Sequence, residues 1–510
     1  MSSPRNSPGP VSAPSAVTGV QLARGIGVQV SKGFWAEAWS HVTKRPTALL
    51  ALTWLTIVAF FAVFAPFVAS GHPIWLTEQG GAGRSPLWIN LKAVDLVLFW
   101  TTIIGVPYVL AGSASGRASR LRAALAGAIL AIAVLSLSMV ARGTLESMAI
   151  SAGRESLRTG VAPTGFAVVG RQPFAGLMAA GLISLVIGGA VAALPMGKLS
   201  RRLPVILVAC VIAVWSVQAR WSPKLEQFDY PEKEAAGQVS ATYTLIPWSR
   251  AQRFSSLSRQ PPGTDFAEAA GYGKGSPVSG RTFIMGTDAF GADVLAQVLH
   301  ACRLSISIGV VSTAIALLIG VTMGALMGYF GGWVDLLLYR LVEIFMAVPV
   351  LFLLIVAVAV LPDEFKTTYV IMGIIGCFTW TGMARFTRAE FMKLRNQDFV
   401  QSAQASGLPL RSILFKHILP NGVAPVLVDT SFAVAAAIGI EATLSYLGLG
   451  PVDSPSWGKL LSYAISQEGE FKWWLAVFPG VAIFLTVLAY NFLGEALRDA
   501  IDPKLKKARG

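Results

Sequence analysis

The sequence is poor in the residues on which soluble and catalytic proteins depend. Only 13% of its 510 residues are charged while 54% are hydrophobic, with a mean hydropathy of +0.61, a balance rarely shown by a water-soluble globule of this length. Its three cysteines, Cys210, Cys302 and Cys377, lie in or beside apolar runs without paired spacing. That pattern suggests neither a disulfide framework nor a metal cluster and leaves them as packing residues. The four histidines are dispersed, and His41, His300 and His417 have no second ligand at helical spacing, so no metal site or cofactor is inferred. Gly273-Lys274-Gly275 and Gly197-Lys198-Leu199 both lack the hydroxyl residue of a Gly-x-x-x-x-Gly-Lys-Ser/Thr phosphate loop. No nucleophile, base and orienting group stand out as a set, which counts against a membrane-embedded enzyme working through outer loops Arg142–Arg171 or Arg220–Met285.

What the chain has in quantity is apolar runs long enough to cross a bilayer, which takes about 20 residues per helix. They fall at about Thr47–Ala69, Asp95–Ser113, Leu121–Ala141, Phe174–Pro195, Leu203–Ala219, Leu304–Tyr329, Leu336–Leu361, Thr368–Thr387, Val423–Leu447 and Trp473–Leu497. The fold class is therefore an all-α polytopic membrane protein with roughly ten spans. The net charge of +14 sits in short clusters beside these runs, such as Lys44-Arg45, Arg117 to Arg122 and Lys198 to Arg202. Membrane orientation explains these clusters better than nucleic acid does, and both termini are expected in the cytoplasm. Arg142–Arg171 is the exception, a basic loop on the outer side. The Ser-, Pro- and Gly-rich stretch Met1–Val30 suits a disordered cytoplasmic tail better than a cleaved signal. Asp95, Arg340, Glu343, Asp429 and Glu441 lie near or within spans, where facing the bundle or snorkelling is favoured over a dedicated proton path.

Three blocks carry chemistry. Phe399-Val-Gln401-Ser402-Ala403-Gln-Ala405-Ser406-Gly407 leads into Leu408-Pro409 and on to Leu419-Pro420. Gly407 suits the left-handed end of one short helix and Pro409 the first turn of another, giving two short helices at a glycine elbow. Upstream, Gly286-Thr287-Asp288-x-x-Gly291-x-Asp293 runs through Arg303 to the next span; taken alone it is a turn with a helix cap. Downstream stand Glu441, Gly448-x-Gly450, Trp457-Gly458, and Asn491 followed by Arg498-Asp499-x-x-Asp502-Pro503.

These blocks resemble the second, C-type permease of ABC importers for oligopeptides, dipeptides and nickel. The first is similar to that family's cytoplasmic coupling loop, with Gln401 where an acid is usual and Ser402 where the first alanine stands. The second resembles its Gly-Thr-Asp-x-x-Gly-Arg-Asp signature, with Ala292 in place of Arg. The resemblance covers about Gly286–Lys504, with Phe34–Pro66 matching the family's start, and it implies a type I importer permease core. Together with the apolar runs it gives the expected organisation: a tail and lead-in helix at 1–46, a first span at 47–70, an inserted region that the resemblance does not cover, with about four extra spans, at 71–221, an extracytoplasmic segment at 222–285, the permease core with five spans at 286–503 including the coupling loop 398–421, and a cytoplasmic tail at 504–510. Also implied is a bacterial inner-membrane subunit that forms the pathway with a second permease subunit, two ABC ATPase subunits or domains docked on the coupling loop, and an extracytoplasmic solute-binding protein. ATP hydrolysis then belongs to other chains, lipid surrounds the spans, and no nucleic-acid partner is expected. A secondary transporter is the rival class, and it would be expected to show internal repeats and mid-membrane carboxylates.

Overall fold

The computed structural model describes residues 34–78, 83–91, 93–110, 120–121, 229–273, 275–451, 454–465 and 469–501. The expected spans Phe174–Pro195 and Leu203–Ala219, all but the first residue of Leu121–Ala141, the Arg142–Arg171 loop, Cys210, Asp502 and Pro503 lie outside these residues.

Among the described residues four helices are long and apolar enough to cross a membrane, and six crossings result if two bent pairs each count as one. The first is α2 (Pro46–Val68), preceded by the lead-in helix α1 (Phe34–Val42). α3 (Ala93–Trp100) continues through a π-turn, Thr101–Gly105, into Val106–Leu110. The π-turn precedes Pro107, whose ring a regular α-turn would press against a carbonyl four residues back.

The core begins with α4 (Val294–Phe330), 37 residues long. At 1.5 Å per residue this helix is about 55 Å long and overshoots the roughly 30 Å hydrocarbon layer. It is followed by α5 (Gly332–Ala347) and α6 (Val350–Ala359), then α7 (Thr368–Thr379) and α8 (Thr381–Leu394). Leu336–Leu361, expected as one continuous span, is instead broken: α5 and α6 meet at 78°. Pro349 is the reason, because a residue before proline is pushed out of the helical region, and Val348 is extended at φ −108°, ψ 133°. α7 and α8 meet at 44°.

α9 (Asp398–Ala405) is followed by Leu410–Ser412, a π-turn at Ile413–Ile418, and α10 (Leu419–Tyr446). The elbow therefore does not join two separate short helices: its second arm is continuous with the α10 span. The π-turn again precedes a proline, Pro420. α11 (Trp457–Ser462) and α12 (Trp473–Ile501) complete the described chain.

The spans pack through small residues. A Cβ on Gly320, Gly324 or Gly328 of α4 would come within 2.7 Å, 2.5 Å and 2.6 Å of α8 atoms. This small-xxx-small stripe lets the two backbones approach and gives them dispersion contact that lipid-facing side chains would prevent. α12 packs on α10, where Gly494 lies against Phe432 and Ser431, and on α2.

One end of the bundle carries a folded, strand-bearing segment. β1 (Trp75–Glu78) pairs antiparallel with β2 (Val239–Thr242), and β3 (Thr264–Asp265) with β4 (Thr282–Phe283). Trp248, Phe254, Phe266 and Phe283 form an aromatic core beneath them, with Trp248 and Phe283 stacked at 4.7 Å. The ladder ties 75–78, within the expected insert, to the segment beyond it. Ala69 at the end of α2 accepts from His300 Nε2 at 3.0 Å, so α2 ends where α4 begins. The chain between them leaves and returns at the same end of the bundle.

Candidate functional site

The motif blocks gather at the two opposite ends. At one end, Leu408 N–H donates to Ala403 O at 3.2 Å and Gly407 N–H to Gln404 O at 2.9 Å, which is the Schellman pairing. That pairing needs a left-handed residue, and Gly407 has φ +68°. Val400 and Ala403 point inward with Phe391, Ile413, Leu414 and Ile418. Gln401, Ser402, Ala405, Ser406, Gly407, Leu408 and Pro409 remain exposed. Leu408, Leu410 and Phe415 add exposed apolar surface to that face. Two of the sequence-picked residues differ in role: Ala403 is 6% exposed and packs inward, and Leu419 is partly buried against the same cluster, while Pro420 is exposed.

The loop is braced from behind. Gln404 Nε2 donates to the Tyr329 hydroxyl at 3.2 Å, and Arg395 reaches the carbonyls of Gly328 and Tyr329. Arg388 makes a two-toothed contact with Asp335, 2.5 and 2.6 Å, and lies over the Tyr339 ring. At the same end Arg45 pairs with Asp499 at 2.6 Å, and α1 packs against Ala496 and Ala500. Asn491 and Arg498 sit on α12, Asn491 half-buried.

At the opposite end, the Gly286–Asp293 block is a wrapped turn. Asp288 Oδ1 accepts from the amides of Phe290 and Ala292, and its Oδ2 from Gln297 Nε2. Thr287 Oγ1 donates to Leu257 O and accepts from Gln260 N–H. Gly286 and Gly291 have φ of +77° and +75°, and a Cβ there would lie 2.6 Å from Gln260 O and 1.9 Å from Phe254 O. Asp293 caps α4, its Oδ2 accepting from Ala296 N–H at 2.6 Å.

The later blocks lock onto this turn. Glu441 Oε1 accepts from Ser445 at 2.6 Å and Ser456 at 2.7 Å, which seats α11 against α10. Trp457 Nε1 donates to Val298 O, and Trp474 Nε1 to Thr287 O. A Cβ on Gly458 would stand 2.1 Å from Ala442 O, one on Gly450 2.0 Å from Ser445 Oγ, and Gly448 turns the chain at φ +78°. The outer blocks thus act as framework. Arg303 donates to Ala62 O at 2.7 Å and to the Asp95 carboxylate, joining the core to α3. Neither the Asp95 partnership nor the α4 glycine stripe was drawn from the sequence, although the stripe's four-residue spacing was there to find.

Between these elements lies an outer cavity of about 290 Å³, lined among others by Arg250, Arg253, Arg303, Lys459, Asp95 and Asp288.

Residues 320–507 match the family of the binding-protein-dependent transport system inner membrane component. Residues 33–79 match the N-terminal TM domain of oligopeptide transport permease C. The chain is 37% identical over 222 residues to the dipeptide transport system permease protein DppC of Alkalihalophilus pseudofirmus, covering 43% of this chain and 72% of that one. It is 40% identical over 223 residues to the oligopeptide transport system permease protein OppC of Bacillus subtilis, 44% and 72%. With OppC of Haemophilus influenzae it shares 39% over 220 residues, 43% and 70%. ATP hydrolysis in this family is done by separate subunits. The chain belongs to the ABC peptide-importer permease family, as a multi-pass C-type membrane subunit.

Proposed function

We propose that this permease imports peptides or a similar small solute with a second permease subunit, and that ATPase subunits drive it through the 398–420 elbow. A solute-binding protein would deliver the solute to the outer segment. The observation that carries the coupling role is the Schellman-closed elbow, exposed on one face and packed into the spans on the other. Because its second arm runs directly into α10, a push on the loop would be delivered along a span rather than absorbed in a hinge. With both described ends of the chain beside it, the elbow would lie in the cytoplasm and the strand-bearing segment outside.

The pathway side is suggested by α5, where only Val342 is buried while Trp333, Leu337 and Ile344 are widely exposed. That helix also carries an exposed Arg340–Glu343 pair at 2.6 Å. Ionised groups in a span avoid lipid, so this face would turn toward the second permease subunit and the solute, with the remaining apolar faces in lipid. Peptide is the solute class carried by the relatives' names.

Gly407→Val tests the coupling role. A β-branched residue at positive φ costs about 1–3 kcal/mol or straightens the elbow. The variant should insert and fold yet lose ATPase co-purification or uncouple hydrolysis from uptake. Normal ATPase binding together with normal uptake would remove the loop from the mechanism. Gln401→Glu should be tolerated, because Gln401 lies on the exposed face.

A further inference from the structure

A second outer cavity, of about 470 Å³, lies between the stretch after β2, the β4 hairpin and the start of α4. Tyr243, Trp248, Arg281 and Asp293 line it, and Leu245 and Ile284, 86% and 58% exposed, form an apolar rim. Three of its side chains each hold a buried polar atom that makes no well-formed hydrogen bond among the described residues: the Tyr243 hydroxyl, whose nearest polar neighbour is the Arg281 guanidinium, Arg281 Nη1 and Asp293 Oδ1. Buried polar atoms in folded proteins are nearly always satisfied, so three lining one cavity point to a missing partner.

The rest of each side chain is already fixed. Arg281 is held by Glu234 through Nη2 at 2.7 Å and lies over the Tyr243 ring at 4.4 Å. Asp293 is held by its cap to Ala296. The unsatisfied atoms thus belong to anchored groups that line the cavity rather than to mobile surface chains, which is the preorganisation a binding site needs. Burial pushes the Tyr243 phenol up, so it stays a neutral donor at physiological pH.

We propose that this cavity binds an extended zwitterionic solute, a short peptide, with its carboxylate toward Arg281 and Tyr243, its amino group toward Asp293 and an apolar side chain on the Leu245–Ile284 rim. The donor and acceptor sets differ in sign and sit on separate elements, which matches a ligand charged oppositely at its two ends. A water cluster would fill the same atoms without discriminating among solutes. The choice of peptide rests on the uptake reading above, and the site would act as an outer holding place ahead of the pathway.

The assembled importer in lipid nanodiscs, without ATP or binding protein, is titrated calorimetrically with trialanine, N-acetyl-trialanine and trialanine amide. Saturable trialanine binding is expected, weakened about tenfold by Tyr243→Phe or by Asp293→Asn, the weight of one charge-assisted hydrogen bond. Acetylation should weaken binding to the unaltered protein and make no difference in Asp293→Asn, which keeps the helix cap. Amidation should weaken binding to the unaltered protein and have a smaller effect in Tyr243→Phe. Absence of saturable binding, unchanged affinity in both variants, or an acetylation penalty that survives Asp293→Asn would overturn the site. ATP-driven trialanine uptake, measured separately with the binding protein present, distinguishes the two readings. Uptake without binding here removes the site and leaves the permease reading, whereas binding without uptake does the reverse.

Discussion

At the scale of single residues, the outer framework depends on atoms that a side chain cannot displace. Gly291→Ala and Gly458→Ala each drive a Cβ into a backbone carbonyl, at 1.9 Å and 2.1 Å. Each should lower the thermal stability of the purified subunit, by about 1–3 kcal/mol. Gly439→Ala, whose Cβ would meet nothing within 4 Å, should be neutral or slightly stabilising in the same assay. Asp293 gives a pH prediction. Burial raises its carboxyl from 3.8 to about 7, Asp288 pushes the same way and the Ala296 amide opposes them. The folded state therefore holds this proton more tightly than the unfolded chain. The resulting stabilisation is complete below about pH 4 and is lost as pH rises through 7. Asp293→Asn should be more stable than the unaltered protein above pH 7, with the gap closing toward pH 4. A gap that widens on acidification would reverse this reading. The ionised acid that costs stability is the acceptor that the proposed peptide site uses, a trade often found where function and folding compete.

At the scale of elements, close helix approach and proline placement decide the geometry. The Gly320, Gly324 and Gly328 stripe places α4 against α8, and α8 in turn carries Arg388 and Phe391 behind the 398–420 elbow. Gly324→Leu has no free space, with Ala384 O at 2.5 Å and Thr387 Cβ at 2.6 Å. It should separate the two helices, lower resistance to detergent denaturation by roughly 1–3 kcal/mol and weaken coupling without any change in the loop itself. Normal stability in that variant would show that the stripe is not a packing seam. Periodicity made most of these helices legible, because a span needs only an unbroken apolar run. The 78° break at Pro349 was written in the sequence as a proline, yet a proline can kink, break or bulge a helix according to what packs beside it. The π-turns ahead of Pro107 and Pro420 show the bulging outcome, and Val348-Pro349 the breaking one.

At the scale of the whole molecule, the two ends have different chemistry, and topology can be read out directly. In a background lacking Cys377, which is exposed, Glu268→Cys should react with an impermeant thiol reagent in intact cells. Ser402→Cys should react only after permeabilisation. The reverse pattern would invert the assignment of sides. The expected insert is also fastened to the core at its start: β1 pairs with β2, and Asp95 with Arg303. Replacing residues 122–228 with a flexible linker should leave ATPase assembly intact. Excision of 71–220 removes the β1 strand and leaves Arg303 without the Asp95 carboxylate, so that variant should be less stable. Equal stability of the two deletions would show that the fastening is idle.

The sequence by itself determined the solvent, the family and the positions of the Gly407 elbow and the Gly286–Asp293 turn, because apolar run length and Gly, Pro and Asp spacing act locally along the chain. Gly407 had to be glycine for a left-handed turn, and the structure gives it φ +68°. Only the tertiary structure decided that Ala403 packs inward, that the elbow's second arm joins α10, that Asp95 meets Arg303 across 208 residues, and that Tyr243, Arg281 and Asp293 line one cavity. Those facts depend on where separate elements dock, and docking is set by the summed packing of many small contacts that no local motif records.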